Sequence, residues 1–187
     1  MKILIIDNND SFTFNIKHYL IQFVNCVDVI RYDKIIISEI NNYDKIIFSP
    51  GPGVPSDYPA LYKIIIKYEK KIPILGICLG HQLIAEHYGA TLENLNVPKH
   101  GINSKIQHFD NCSLYSNLPQ NFLISHYHSW VVSINNFPNN MKITAVNEDN
   151  LIMSCSHINY NIKGVQFHPE SILSEYGLEL IENWIIS

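Results

Sequence analysis

Arginine is almost missing: of 13 basic residues only Arg31 is one, and the formal net charge is −4 with a pI near 6.1. A chain so poor in guanidinium groups and net acidic has no electrostatic reason to bind nucleic acid or an anionic membrane. Long apolar runs are missing too. The longest, residues 72–80, falls well short of the roughly 18 residues a membrane span needs, and only four aliphatic residues follow Lys2 before Asp7, too few for a secretory signal. The four cysteines (26, 78, 112 and 155) form no CxxC pair and no disulfide framework. A soluble, reduced, cytoplasmic protein is the expectation. No repeat, low-complexity tract or linker interrupts the 187 residues, which suit one domain spanning 1–187.

What is present is apolar: 47% hydrophobic and 11% aromatic residues against 16% charged, enough to build a large core. Isoleucine, asparagine and lysine are abundant, a bias that matches A+T-rich coding and inflates apparent strand signal. Residues 3–6 are continuously aliphatic and end in Asp7-Asn8-Asn9-Asp10-Ser11, after which Phe12, Ile16, Tyr19, Leu20 and Phe23 recur at helical spacing. Strands follow at 27–32, 45–48 and 72–77, with helical stretches at 38–41, 58–68 and 82–87. Alternation of this kind predicts an α/β fold with a mostly parallel open sheet and helices on both faces. Beyond Gly89 the segments 102–108, 122–125, 130–134, 141–146, 151–155 and 163–167 are short and β-rich, predicting antiparallel additions. A last helix, 176–186, is expected to turn Leu178, Ile181, Trp184 and Ile185 inward and Glu179 and Glu182 outward.

Three stretches carry chemistry. Gly76-Ile77-Cys78-Leu79-Gly80-His81-Gln82 delivers a cysteine from a buried strand to a glycine-flanked turn before a helix. This is the pattern of a nucleophile elbow. The helix N-terminus favours thiolate over thiol, and the Leu79 N–H would face a developing oxyanion. The other three cysteines read as small buried hydrophobes. Gln166-Phe167-His168-Pro169-Glu170-Ser171, at a late strand end, offers a base and a carboxylate to orient it. Ser49-Pro50-Gly51-Pro52-Gly53-Val54-Pro55 also follows a strand; its glycines let backbone approach a ligand, and a sheet's carboxyl edge would set it beside Cys78. The acidic turn 7–10 reads as helix-capping, and His126 with His128, or Cys155 with His157, as alternating strand residues before metal pairs.

Five stretches in order, namely Asp7 to Thr13, the Pro-Gly-Pro-Gly loop, the Cys78 elbow, Tyr127-His128-Ser129 and 166–173, make the whole chain resemble class I glutamine amidotransferases. Within them it is similar to the small glutaminase subunits of anthranilate synthase and aminodeoxychorismate synthase. The resemblance implies the flavodoxin-like class I glutaminase fold. It implies Cys78 as nucleophile, His168 as general base and acid, and Glu170 as its orienter. Oxyanion donors would be Leu79 and the Gly51-Pro52-Gly53 loop, there through Gly53 because Pro52 has no N–H, while Gln82 and the Ser129-Trp130 backbone would hold L-glutamine's amino-acid end.

The same resemblance implies a chorismate-binding large partner subunit, itself Mg-dependent, that receives the ammonia. The partner would dock near His100-Gly101 and residues 55–58. No cofactor or metal is expected in this chain. The near-absence of arginine suits such a division of labour, since chorismate's two carboxylates favour guanidinium forks. The anthranilate (tryptophan) route is favoured over the aminodeoxychorismate (folate) route. Rival readings are another cysteine hydrolase on the same elbow and an inactive stabilising subunit.

Overall fold

A computed structural model of the chain describes residues 1–109 and 112–187. Among them, nine strands join in one sheet of order β2-β1-β3-β4-β9-β8-β7-β5-β6. The parallel half comprises β1 (Lys2–Asp7), β2 (Cys26–Arg31), β3 (Lys45–Phe48), β4 (Ile74–Ile77) and β9 (Ile162–Val165). The antiparallel half comprises β5 (Leu92–His108), β6 (Asn121–Val132), β7 (Met141–Asn147) and β8 (Ile152–His157). Four α-helices, α1 (Thr13–Leu20), α2 (Pro59–Tyr68), α3 (Leu79–His87) and α4 (Gly177–Ile186), complete the fold. None is long and apolar enough to cross a membrane.

The two-residue period of a strand divides the core. In β1, Ile3 and Ile5 point to one face and pack with Ile16 and Leu20 of α1 and Leu180, Ile181, Trp184 and Ile185 of α4. Leu4 and Ile6 point to the other, against Leu61, Ile64, Ile65 and Tyr68 of α2 and Leu83 and Ile84 of α3. Strands β3 and β4 repeat the division, with Ile47, Leu75 and Ile77 on the first side and Ile46, Phe48 and Ile74 on the second. Because both faces are covered, these strands read as unbroken apolar runs.

Five expectations need correction. The segments 122–125 and 130–134 belong to one twelve-residue strand, β6, and 102–108 is the end of a seventeen-residue strand, β5. The reading of His126 and His128 as alternating strand residues holds: both are buried, and the strand passes straight through them. In α4 it is Leu180, not Leu178, that is fully buried, and Asn183 turns inward to donate to the Leu114 and Ser116 carbonyls. Of the three cysteines read as buried, only Cys155 is; Cys26 and Cys112 are half-exposed. The acidic turn does not cap α1: its N-cap is Phe12, without a side-chain cap hydrogen bond, and the carboxylates brace the turn instead, Asp10 accepting from the Phe12 N–H at 2.8 Å and Asp7 from Thr13 Oγ1 at 2.8 Å.

The topology sets up the site. β9 enters the sheet beside β4 in parallel, pairing Ile77 with Val165, and the Cys78 N–H donates to the Val165 carbonyl at 2.8 Å. Two segments nearly ninety positions apart in sequence thus end side by side at the carboxyl edge of the sheet, where α/β folds place their ligands.

Candidate active site

Cys78 is the N-cap of α3 and holds φ 51°, ψ −102°, a conformation costly for a residue with a Cβ. Its neighbours explain how the turn closes. A Cβ on Gly76 would collide with the Gly80 backbone, and one on Gly80 with the Phe48 carbonyl, so strand and helix touch backbone to backbone and hold the bend. The sulfur-bearing residue is 6% exposed and lines two adjoining cavities.

The first cavity, of about 220 Å³, is floored by Leu79 and Gln82, walled by Gly51, Pro52 and Gly53, and closed by Tyr127, His128, Ser129 and Trp130 of β6. It is smaller than a drug-sized pocket and suits one amino acid. The structure therefore gathers the suggested nucleophile, both suggested oxyanion segments and the suggested substrate contacts around one space. Gln82 Nε2 donates to the Trp130 carbonyl at 2.8 Å and to Gln166 Oε1 at 3.1 Å, and Gln166 Nε2 approaches Cys78 Sγ at 3.6 Å.

The second cavity, of about 360 Å³, is lined by Cys78 and His168 together, with Phe12, Pro50, His100 and Tyr127. His168 Nδ1 lies 2.7 Å from Glu170 Oε1 in a pair almost fully buried. Burial alone would lower the proton affinity of this ring; the Glu170 carboxylate and the Cys78 sulfur outweigh it and hold the imidazole well above its ordinary range. Its Nε2 is buried and makes no conventional hydrogen bond. The ring is seated by Tyr127 and Phe12, with centroids at 5.1 and 5.6 Å, and the His168 carbonyl accepts from Ser174 Oγ at 2.7 Å.

Several supporting residues had no legible signal in the sequence. Gln166 sits opposite Cys78 through the strand register, which only the sheet order shows. The Pro-Gly-Pro-Gly loop is tied down by Asn8, whose side chain donates to the Ser49 carbonyl at 2.8 Å, and by Tyr58, whose hydroxyl donates to the Pro52 carbonyl at 2.9 Å. A Cβ on Gly51 would lie 2.6 Å from Leu79 and 2.7 Å from Asn8, so only glycine lets the loop reach α3. Tyr58 is buried, which removes it from the suggested docking surface; His100 is exposed at the rim, its ring edge-on to Tyr127.

The histidine and cysteine pairs considered for metal are used otherwise. His126 Nδ1 and His128 Nε2 face each other at 3.0 Å, and Cys155 Sγ lies 3.6 Å from His81 Nδ1. Among the described residues no group of three or more His, Cys, Asp or Glu side chains is arranged to hold a metal ion.

A thiol at a strained bend, an imidazole of raised proton affinity in the same cavity and a carboxylate behind the imidazole can perform acyl transfer through a thioester. Comparison with known proteins agrees. The model of the glutamine amidotransferase class-I family matches residues 4–187. A Pyropia yezoensis protein named anthranilate synthase component 2 is 44% identical over 186 residues, 98% of each chain. A multifunctional tryptophan biosynthesis protein of Phycomyces blakesleeanus is 42% identical over 188 residues, 99% of this chain and 24% of its own. Among solved structures, a Thermoplasma acidophilum protein described as part of a GMP synthase superposes with a TM-score of 0.89 at 26% identity, over 99% of this chain and 92% of its own. With its elbow, its buried histidine and carboxylate and this match along nearly the full length, the chain belongs to the class-I glutamine amidotransferases.

Proposed function

We propose that the protein is the glutaminase subunit of an anthranilate synthase, releasing ammonia from L-glutamine for a chorismate-binding large subunit. The observation that supports it most is Cys78 at the mouth of an amino-acid-sized cavity with the His168–Glu170 pair against its other side. The names of the relatives supply the pathway, and the reduced thiol this chemistry needs fits a cytoplasmic setting.

Proton transfer from Cys78 to His168 Nε2 leaves a thiolate beside an imidazolium, whose Nδ1–H donates to Glu170. The sulfur attacks the side-chain carbonyl carbon of glutamine, and the carbonyl electron pair moves onto oxygen. The Leu79 and Gly53 N–H groups receive that oxyanion. As the intermediate collapses, His168 gives its proton to the departing nitrogen and ammonia leaves a γ-glutamyl thioester. Water, giving a proton to His168 Nε2, then attacks the thioester carbon, and as the C–S bond breaks His168 returns that proton to sulfur, yielding glutamate and the free cysteine. Gln82 and the Ser129-Trp130 backbone hold the amino-acid end, and His100 with Gly101 lies on the face toward the partner.

The test is to purify the protein together with its large subunit, then to supply glutamine and chorismate. Fluorescent anthranilate is the expected product. Aminodeoxychorismate instead would move the protein to the folate route, and ammonia-dependent but never glutamine-dependent turnover would mark it as a stabilising subunit only.

A further inference from the structure

The two histidines of β6 lie in a buried chain that the chemistry above does not use. At the β7–β8 turn, Asn147 Oδ1 accepts the N–H groups of Asp149 at 3.1 Å and Leu151 at 2.9 Å. That fixes which end of the amide is oxygen, so its NH₂ group faces Ser104 Oγ at 3.4 Å as a donor. Ser104 accepts there, and its own proton is free to go to His126 Nε2, 2.6 Å away. With Ser104 as the donor, His126 Nε2 would be an acceptor, its proton would sit on Nδ1, and that N–H would donate to His128 Nε2 at 3.0 Å. By the same step the proton of His128 is on Nδ1.

All four side chains are more than nine-tenths buried, so no bulk water competes for these bonds. Burial, and then neighbouring positive charge, pushes His126 down to about 4 and His128 to about 3, so both rings are neutral at neutral pH. The end of the chain is His128 Nδ1, a buried nitrogen with no hydrogen-bond partner, in a residue that lines the smaller cavity together with Trp130, whose carbonyl accepts from Gln82 and whose backbone raises the ring's proton affinity.

We propose that this one-way chain, Asn147 to Ser104 to His126 to His128, makes His128 a positioning residue: its Nδ1–H, together with Gln82, holds the Trp130 carbonyl and thereby the wall against which glutamine binds. The opposite tautomer would set a nitrogen lone pair against the carbonyl oxygen and push that wall away. A charged His128 would set two N–H groups against each other at the His126 contact. A polarity set at a turn on the far side of the antiparallel half therefore reaches the substrate space through three hydrogen bonds. The tautomer claim stands by itself; its effect on glutamine rests on the function proposed above.

Two measurements test it. In the ¹⁵N-histidine-labelled protein, with the two rings assigned by His126→Gln and His128→Gln, both should show protonated Nδ1 and unprotonated Nε2, unchanged between about pH 8 and 6. An Nε2–H on either ring overturns the proposal, whatever the protein's activity. In the complex with the large subunit, Ser104→Ala should raise the KM for glutamine about 5- to 10-fold, the worth of one buried hydrogen bond, with kcat within about 2-fold. Ser104→Thr, which keeps the hydroxyl, should restore it. An unchanged KM in Ser104→Ala, or a loss confined to kcat, overturns the positioning role. If no variant or wild type consumes glutamine while the rings show the expected tautomers, the functional reading fails and the relay survives.

Discussion

At the scale of single residues, the site asks most of Cys78, His168 and Glu170. Cys78→Ser in the complex should abolish glutamine-dependent product, a fall of at least about 10³-fold, while product formed from added ammonium salt at high pH persists. Loss of both activities would show that the substitution disturbs the assembly and not the thioester step. Glu170→Gln keeps the shape of the side chain but offers Nδ1 of His168 a weaker, uncharged acceptor, and the imidazolium loses its counter-charge at 2.7 Å. A drop in kcat of about 10² to 10⁴ with little change in KM is expected, read by glutamate release. An equal rise in KM would move Glu170 from the chemistry to substrate binding. These three positions stood out in the sequence because each carries a local signature: glycines around a thiol, and an imidazole and carboxylate separated by a rigid proline. Gln166, Asn8 and Tyr58 carry none, since what they do depends on which strand or loop lies beside them.

At the scale of elements, runs buried on both faces were the easiest to read. Lys45–Phe48 is found with the very bounds expected of it, because all four of its residues are buried and turn signals flank it. β6 was read as two strands, because polarity was taken as exposure. His126 and His128 satisfy each other and Ser104 inside the protein, a solution invisible until β5 lies alongside. The inward face of α4 was misjudged as well: in a helix of ten residues, a shift of two positions, about 200° around the axis, exchanges Leu178 for Leu180. The difference is measurable. Leu180→Ala should cost about 2–5 kcal/mol in the urea unfolding free energy and Leu178→Ala less than about 1 kcal/mol, the contrast between a filled core position and a half-exposed one. Comparable losses at both would place Leu178 in the core after all.

At the scale of the whole molecule, the class of fold followed from the strand and helix alternation, whereas the sheet order did not: nothing local says that the last strand inserts between β4 and β8. Stability against pH is also a property of the whole. Burial depresses His81 to about 3, His126 to about 4 and His128 to about 3, below the ordinary 6.5 of an unfolded histidine. Between those values and 6.5 the unfolded chain binds more protons than the folded one, so stability is full above pH 6.5 and falls as pH drops. Each ring contributes about 1.4 kcal/mol per pH unit over that window. His168 is shifted the other way, and its gain falls in a different window: as pH drops from its raised value to 6.5 the folded chain holds a proton the unfolded chain lacks, so across the span from pH 7.5 to 5.5 it offsets about one of the three. Unfolding free energy should therefore fall by about 3 kcal/mol between pH 7.5 and 5.5, measured by urea titration at both. A flat or rising profile would mean that the buried imidazoles take up protons without cost.

The central seat of β9 also governs when the enzyme can exist at all. A ribosome delivers the thiol of residue 78 long before the imidazole of residue 168, and the bend that activates sulfur has no base until the late strand slots in beside β4. On the proposed function, a chain still being translated carries an idle cysteine, and glutamine is safe from it until β9 has emerged and joined the sheet beside β4.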